Sequence, residues 1–187
     1  WRDHGAGATD RAGAKGGPAP LGQSVRDFYI GINDPLGQNP SGAAFTPRVF
    51  TLYDEWTNAK GAHAEERRAI ARGQQVFNAV PITLTGVRGL NDALGQPRIE
   101  GFCGTCHDTP NVGNHSVKLP LDIGVADAGA ERPPVLDIDE LPTFRLTCTS
   151  GPLAGQVYTV TDPGRALISG KCADIGRLKG PILRGLA

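Results

Sequence analysis

Apolar residues along this chain fall mostly in short clusters, and only two stretches carry a clear period. The first runs from Ala64 to Asn78. It opens on Glu65 and Glu66, which suit the positive end of a helix, and sets Ile70, Gly73 and Phe77 on one face at helical spacing. A glycine in mid-helix costs roughly 1 kcal/mol relative to alanine, so Gly73 asks for a reason. Close approach of a large neighbour is one; a fraying helix that tolerates glycine is the other. The second stretch alternates Phe144, Leu146 and Cys148 with Thr143, Arg145 and Thr147, and a further short run follows from Val157 to Thr161. Thr149 to Gly155 between them contains Gly-Pro, so the pattern predicts an antiparallel hairpin with a wide loop over residues 142–161.

The rest is punctuated rather than periodic. Residues 5–22 are rich in Gly, Ala and Pro and read as an extended arm or linker. From Val25 to Trp56 the clusters Phe28-Tyr29-Ile30, Val49-Phe50 and Leu52-Tyr53 are broken by Asp34-Pro35, Asn39-Pro40 and Thr46-Pro47. This predicts an irregular wrap, with room for a short helix over 47–58. Val80 to Ile99 reads as a loop, and the segment after Asp162 as turn-rich. Two regions result: residues 1–60, an arm and irregular wrap, and residues 61–187, where the periodic elements lie. No internal repeat is visible.

With 26 Gly, 15 Pro and only 6% aromatic residues, the chain has little with which to fill a large core. A buried prosthetic group would supply apolar volume. The formal net charge is zero, which gives no basis for expecting nucleic acid or an anionic membrane surface as a partner. No apolar run approaches the roughly 20 residues that span a bilayer, so no membrane span is expected. The start at Trp1-Arg2-Asp3-His4 does not read as a signal peptide, which predicts a mature product, a fragment or a trimmed chain.

The chemistry concentrates at Cys103-Gly104-Thr105-Cys106-His107. Cys-x-x-Cys-His is the attachment signature of c-type haem. Two thiols on one turn of chain reach two vinyl groups of the same porphyrin, and the adjacent imidazole then serves as the proximal iron ligand. One covalent haem c on Cys103 and Cys106, with His107 on the iron, is the expected cofactor. Zinc would want a second ligand pair at matching spacing, and Cys148 and Cys172 do not form one. A thioredoxin-like thiol pair should follow a buried strand and open a helix, which Gly101-Phe102 and Asp108-Thr109-Pro110 fit poorly. The large neighbour at Gly73 then becomes either another helix or a porphyrin edge.

Several residues are candidates for supporting roles. Pro110 would fix a loop whose carbonyl accepts the imidazole Nδ1 hydrogen, or is an ordinary turn proline. Arg88, Arg98 and Arg177 are candidates to pair with haem propionates, or are solvated surface residues. For the distal iron ligand the chain offers no methionine. His115 and, more remotely, His63 are the imidazole candidates, beside an open position or a ligand from elsewhere. Cys148 ends a strand and Cys172 follows the turn at Gly170-Lys171, so a disulfide between them is expected, with two buried thiols as the alternative. Haem attachment and disulfides both belong outside the bacterial cytosol, which predicts a periplasmic or otherwise exported protein.

A family resemblance enters at the C-terminal end. Asp162-Pro163-Gly164-Arg165-Ala166, Gly170, Asp174-Ile175-Gly176-Arg177 and Lys179-Gly180-Pro181-Ile182-Leu183-Arg184 resemble the segment before the distal haem loop of bacterial di-haem cytochrome c peroxidases and their relatives. Arg72 to Asn78 resembles the first helix of a haem domain in that family, specifically the C-terminal one. The resemblance covers about 64–187. It implies a mainly α, cytochrome c-like haem domain with much irregular structure and a small hairpin insertion. Relatives carry two haem motifs and continue past the last run, so the resemblance also implies a domain that is incomplete at Ala187, with a second chain as one way of completing it.

Three functions compete on this footing. An electron-transfer cytochrome needs one haem and redox partner proteins, and is the leading expectation. A peroxidase-like enzyme needs an open distal site and an acid–base residue; Glu100 is the nearest acid in sequence. A subunit of a larger redox complex would use the Gly/Pro-rich arm to hold neighbours.

Overall fold

The computed structural model describes residues 28–114, 120–127 and 141–183. Of these, 25% are helical and 15% lie in strands, forming two small antiparallel sheets. The expectation of a mainly α domain is therefore overturned. The physical reason is the distribution of Gly and Pro, which among the described residues leaves one stretch long enough for a sustained helix. That helix, α1, spans Ala64–Ala79. It stops where Val80 precedes Pro81, a position that favours extended backbone, and Val80 has φ −82° and ψ 118°.

The chain divides into two compact units. The first comprises Trp1–Thr83, Glu100–Lys118 and Gly180–Ala187. Its framework is α1, against which pack the 3-10 turns Asp54–Asn58 and Cys103–Thr105. Trp56 and Ala71 are buried together, with Tyr53 and Ile70 packed on them. The guanidinium of Arg67 lies 5.5 Å from the centre of the Trp56 ring. The short helix expected over 47–58 is this 3-10 turn alone, because backbone groups at 49–53 are claimed by side chains of α1. Asn78 Oδ1 accepts from Val49 N and Phe50 N, and its Nδ2 donates to Phe50 O at 2.7 Å. Gln74 Oε1 accepts from Tyr53 N, while its Nε2 donates to Asp54.

The second unit comprises Leu84–Ile99 and Leu119–Lys179. Strand β1 (Ile82–Thr85) pairs with β2 (Arg98–Gly101) where the chain leaves the first unit and comes back. The expected loop over 80–99 is thus a strand, a one-turn helix α2 (Asn91–Leu94) and a second strand. Gly95 in the left-handed region closes α2, and Asn91 accepts from Val87 N while donating to Leu84 O and Gln96 O. Further along, β3 (Phe144–Thr147) and β4 (Val157–Val160) form an antiparallel hairpin with Phe144 opposite Val160 and Thr147 opposite Val157. Cys148, Val160 and Ile175 make a small core beneath it. A one-turn helix, α3 (Ala166–Ser169), leads to Cys172, which lies at disulfide distance from Cys148 with Cα atoms 5.9 Å apart.

Candidate functional site

The site is built from the Cys103–His107 turn upward. Thr105 Oγ1 accepts from Phe102 N at 2.9 Å and Thr105 N donates to Phe102 O, which closes the entrance of the turn. Cys106 N and His107 N both donate to Cys103 O. Gly104 is buried because the turn is pressed onto the 47–49 segment. A Cβ there would meet Val49 Cγ2 at 2.7 Å and Pro47 O at 3.1 Å. Cys103 and Cys106 are half-buried and neither is in a disulfide. The Cys106 thiol is pushed up to about 11, chiefly by burial, with the charge of Asp108 and the neighbouring Cys103 adding to it.

Beyond His107 the chain makes a tight loop. Asp108 and Thr109 are fully buried, and Asn33 Nδ2 donates to Asp108 O and Thr46 O at 2.9 Å each. Thr109 bonds Asn114 O through both its backbone N and its hydroxyl. Asn111 N donates to Val49 O, and Asn111 Oδ1 accepts from Thr51 N. Pro110 lies in this turn, whose product is the position of the Gly113 carbonyl. His107 Nδ1 is 3.1 Å from Gly113 O and 3.3 Å from Pro181 O. A carbonyl only accepts, so both contacts favour a proton on Nδ1. In the neutral ring the lone pair is then on Nε2, ready for a metal.

Phe77 and Leu183 connect this histidine to a cleft. The Phe77 ring is 6.5 Å from the imidazole and stacks edge-on to Phe50 at 5.1 Å. Leu183 lies against Gly113. Together with Tyr53, Ile70, Gly73 and Gln74 they line a cleft of about 260 Å³ that opens to solvent. A Cβ at Gly73 would meet no atom within 4 Å. Among the described residues no second helix or loop packs on this glycine.

The other candidates are distributed as follows. His63 is exposed at the left-handed N-cap of α1, fourteen residues before Phe77. At 1.5 Å per residue that is roughly 20 Å along the axis, so His63 and His107 are not brought together. His115 lies outside the described residues. Arg88, Arg98 and Arg177 belong to the second unit. Arg88 grips the buried Asp122 carboxylate through Nε and Nη2 and donates to Ile175 O. Arg177 pairs with Asp92 at 3.3 Å, and Arg98 is exposed on β2. Arg88 and Arg177 are thus committed to carboxylates of the protein. Glu100 is exposed on β2.

Sequence reasoning did not find Asn33, Asn78, Asn111, Gly104 or Pro181, which shape the site without doing chemistry. Gly104, Asn78 and Pro181 lie inside stretches already singled out, though nothing there marked their positioning roles, and Asn33 and Asn111 carried no signal. Among the described residues no group of three or more His, Cys, Asp or Glu side chains is placed to hold a metal ion, and no helix is long and apolar enough to cross a membrane. No protein family, curated protein or solved structure was found to match the chain.

Proposed function

We propose that this chain is a c-type cytochrome that carries one covalent haem and transfers electrons. The observation that carries the reading is the pair of carbonyls on His107 Nδ1, on the residue that follows Cys103 and Cys106 in a haem-attachment motif. Cys103 and Cys106 would hold the group through thioether bonds, and His107 Nε2 would be the proximal ligand. When bound, the group supplies a one-electron couple at the iron. The apolar cleft bordered by Phe77 and Leu183 supports the fit, since it gives a flat hydrophobic group a surface to rest on.

The chain's own residues do the positioning. The Cys103–Cys106 turn is fixed by Thr105 and by the buried Gly104, so the thiols are presented on one rigid turn. Gly113 O and Pro181 O orient the imidazole and make Nε2 more basic, which favours the oxidised state of a bound iron. Competing uses of the motif find less support. A reactive dithiol needs a lowered thiol pKa, whereas burial raises that of Cys106. Zinc would want a second ligand pair at matching spacing, and Cys148 and Cys172 stand at disulfide distance from each other instead.

The Cys148–Cys172 pair supports an oxidising location such as the bacterial periplasm. Redox proteins that approach the haem edge are the partners this reading requires. The resemblance to di-haem cytochrome c peroxidases makes peroxidase activity the contrasting outcome. Visible and paramagnetic-resonance spectra of the haem-loaded chain separate the two. Electron transfer predicts a six-coordinate low-spin centre with no rapid reaction with peroxide. A high-spin centre consumed within seconds of peroxide addition would overturn it.

A further inference from the structure

The second acceptor for His107 arrives by a long detour. After the histidine loop the chain enters the second unit at Leu119 and returns to the first only at Gly180. Residues 180–183 then form a strap that delivers Pro181 O to His107 Nδ1. Among the described residues it is held by Leu183, whose N donates to Val112 O at 3.2 Å and whose side chain rests on Gly113. Inside the second unit the two ends of the detour are tied by a reciprocal pair of 2.8 Å bonds between the backbones of Leu121 and Leu178. Three residues before Leu178, Ile175 is buried with Cys148 in the core that the Cys148–Cys172 disulfide staples.

We infer that this disulfide is a redox-sensitive staple that sets how firmly the 180–183 strap holds His107, and through it the potential of the haem. The inference rests on the haem reading above. Closed, the staple limits the conformations of the segment that leads into the strap, and so keeps the strap's effective concentration at the histidine loop high. A dithiol reductant opens it by supplying two electrons and two protons: the S–S bond breaks, each sulfur becomes a thiol, and the dithiol is oxidised to its own disulfide. Cys172 is the half-exposed partner and offers the sulfur for attack, while Cys148 is 1% exposed. With the segment loosened, the strap leaves His107 more often and Gly113 O remains as its acceptor. The imidazole becomes a weaker donor to iron and the potential rises.

The test measures midpoint potentials of the full haem-loaded chain by spectroelectrochemical titration. Cys148→Ala/Cys172→Ala removes the staple without any reductant, Leu183→Ala loosens the strap directly, and Ile168→Ala, at an 89% exposed position outside both staple and strap, is the control. The expected result is an upward shift for the double variant and for Leu183→Ala, none for Ile168→Ala, and no further rise when all three alanines are combined. A wild-type potential in the double variant or in Leu183→Ala overturns the inference, as do two shifts that simply add. If the double variant does not fold, the native chain opened with a dithiol, its thiols counted by alkylation, takes its place under the same criteria. Failure of any preparation to hold haem strikes at the attachment itself, a result distinct from failure of the strap.

Discussion

Gly104→Ala probes the contact that fixes the two thiols on one turn. The added Cβ would lie 2.7 Å from Val49 Cγ2 and 3.1 Å from Pro47 O, so a neighbour must move. Val49 is 1% exposed and β-branched, with one preferred rotamer. Its backbone is pinned at both ends, by Asn78 Oδ1 on its N–H and by Asn111 N on its carbonyl. Relief therefore has to come from displacement of the turn itself. Overpacking of this kind costs about 2 kcal/mol, which in a chain of this size lowers Tm by about 4–8 °C. Thermal unfolding followed by far-UV circular dichroism reads the loss. Val49→Ala alone should also destabilise, by about 2 kcal/mol through the cavity it leaves. In the double variant the two volume changes offset each other, so the combined loss should fall short of the sum by about 1–2 kcal/mol. Strictly additive losses, or an unchanged Tm for Gly104→Ala, would refute the packing of the Cys103–His107 turn on the 47–49 segment.

Other perturbations follow from the same geometry. Asn78→Ala strips acceptor and donor from three backbone groups at Val49 and Phe50, and should cost about 2–3 kcal/mol in a chemical denaturation curve; Asn78→Asp, which keeps the acceptor, should lose less. Arg88→Ala leaves the Asp122 carboxylate buried without its partner and should destabilise by about 2–4 kcal/mol, with Arg88→Lys failing to restore the two donors on Asp122 Oδ2. In the haem-free chain, the raised Cys106 thiol favours the folded state while it stays protonated. That contribution is complete below the ordinary thiol pKa of 9.0 and is lost as pH rises to about 11. Denaturation midpoints should accordingly fall across pH 9 to 11, and a Cys106→Ala variant should show a flatter profile.

How much of this was legible in the sequence depends on the range of each signal. Glu65 and Glu66 ahead of the Ile70-Gly73-Phe77 spacing sufficed to locate α1, because an amphipathic helix is specified by its own residues. The alternation at Phe144, Leu146 and Cys148 likewise marked one arm of a hairpin. Val80–Ile99 misled because its Gly and Pro punctuation hides strands of only four residues, too short to show a period. The mainly α expectation came from family resemblance rather than pattern, and the density of turn-forming residues overrides it. At the site, a local motif announced Cys103, Cys106 and His107. The groups that orient them could not be read the same way, since Asn33 meets Asp108, Asn78 meets Phe50 and Pro181 meets His107 across 75, 28 and 74 positions. Arg88 shows the converse: its charge attracted a propionate role, while a buried carboxylate within its own unit had already claimed it.

Covalent attachment is tested most directly by intact-mass measurement joined to acid–acetone extraction, on chain produced in a host that attaches c-type haem. Thioether attachment gives a mass greater than the polypeptide by one haem, a colour that stays with the protein on extraction, and loss of both when Cys103 and Cys106 are replaced by alanine. A chain at its bare polypeptide mass, or a haem that passes into the acetone, would contradict it.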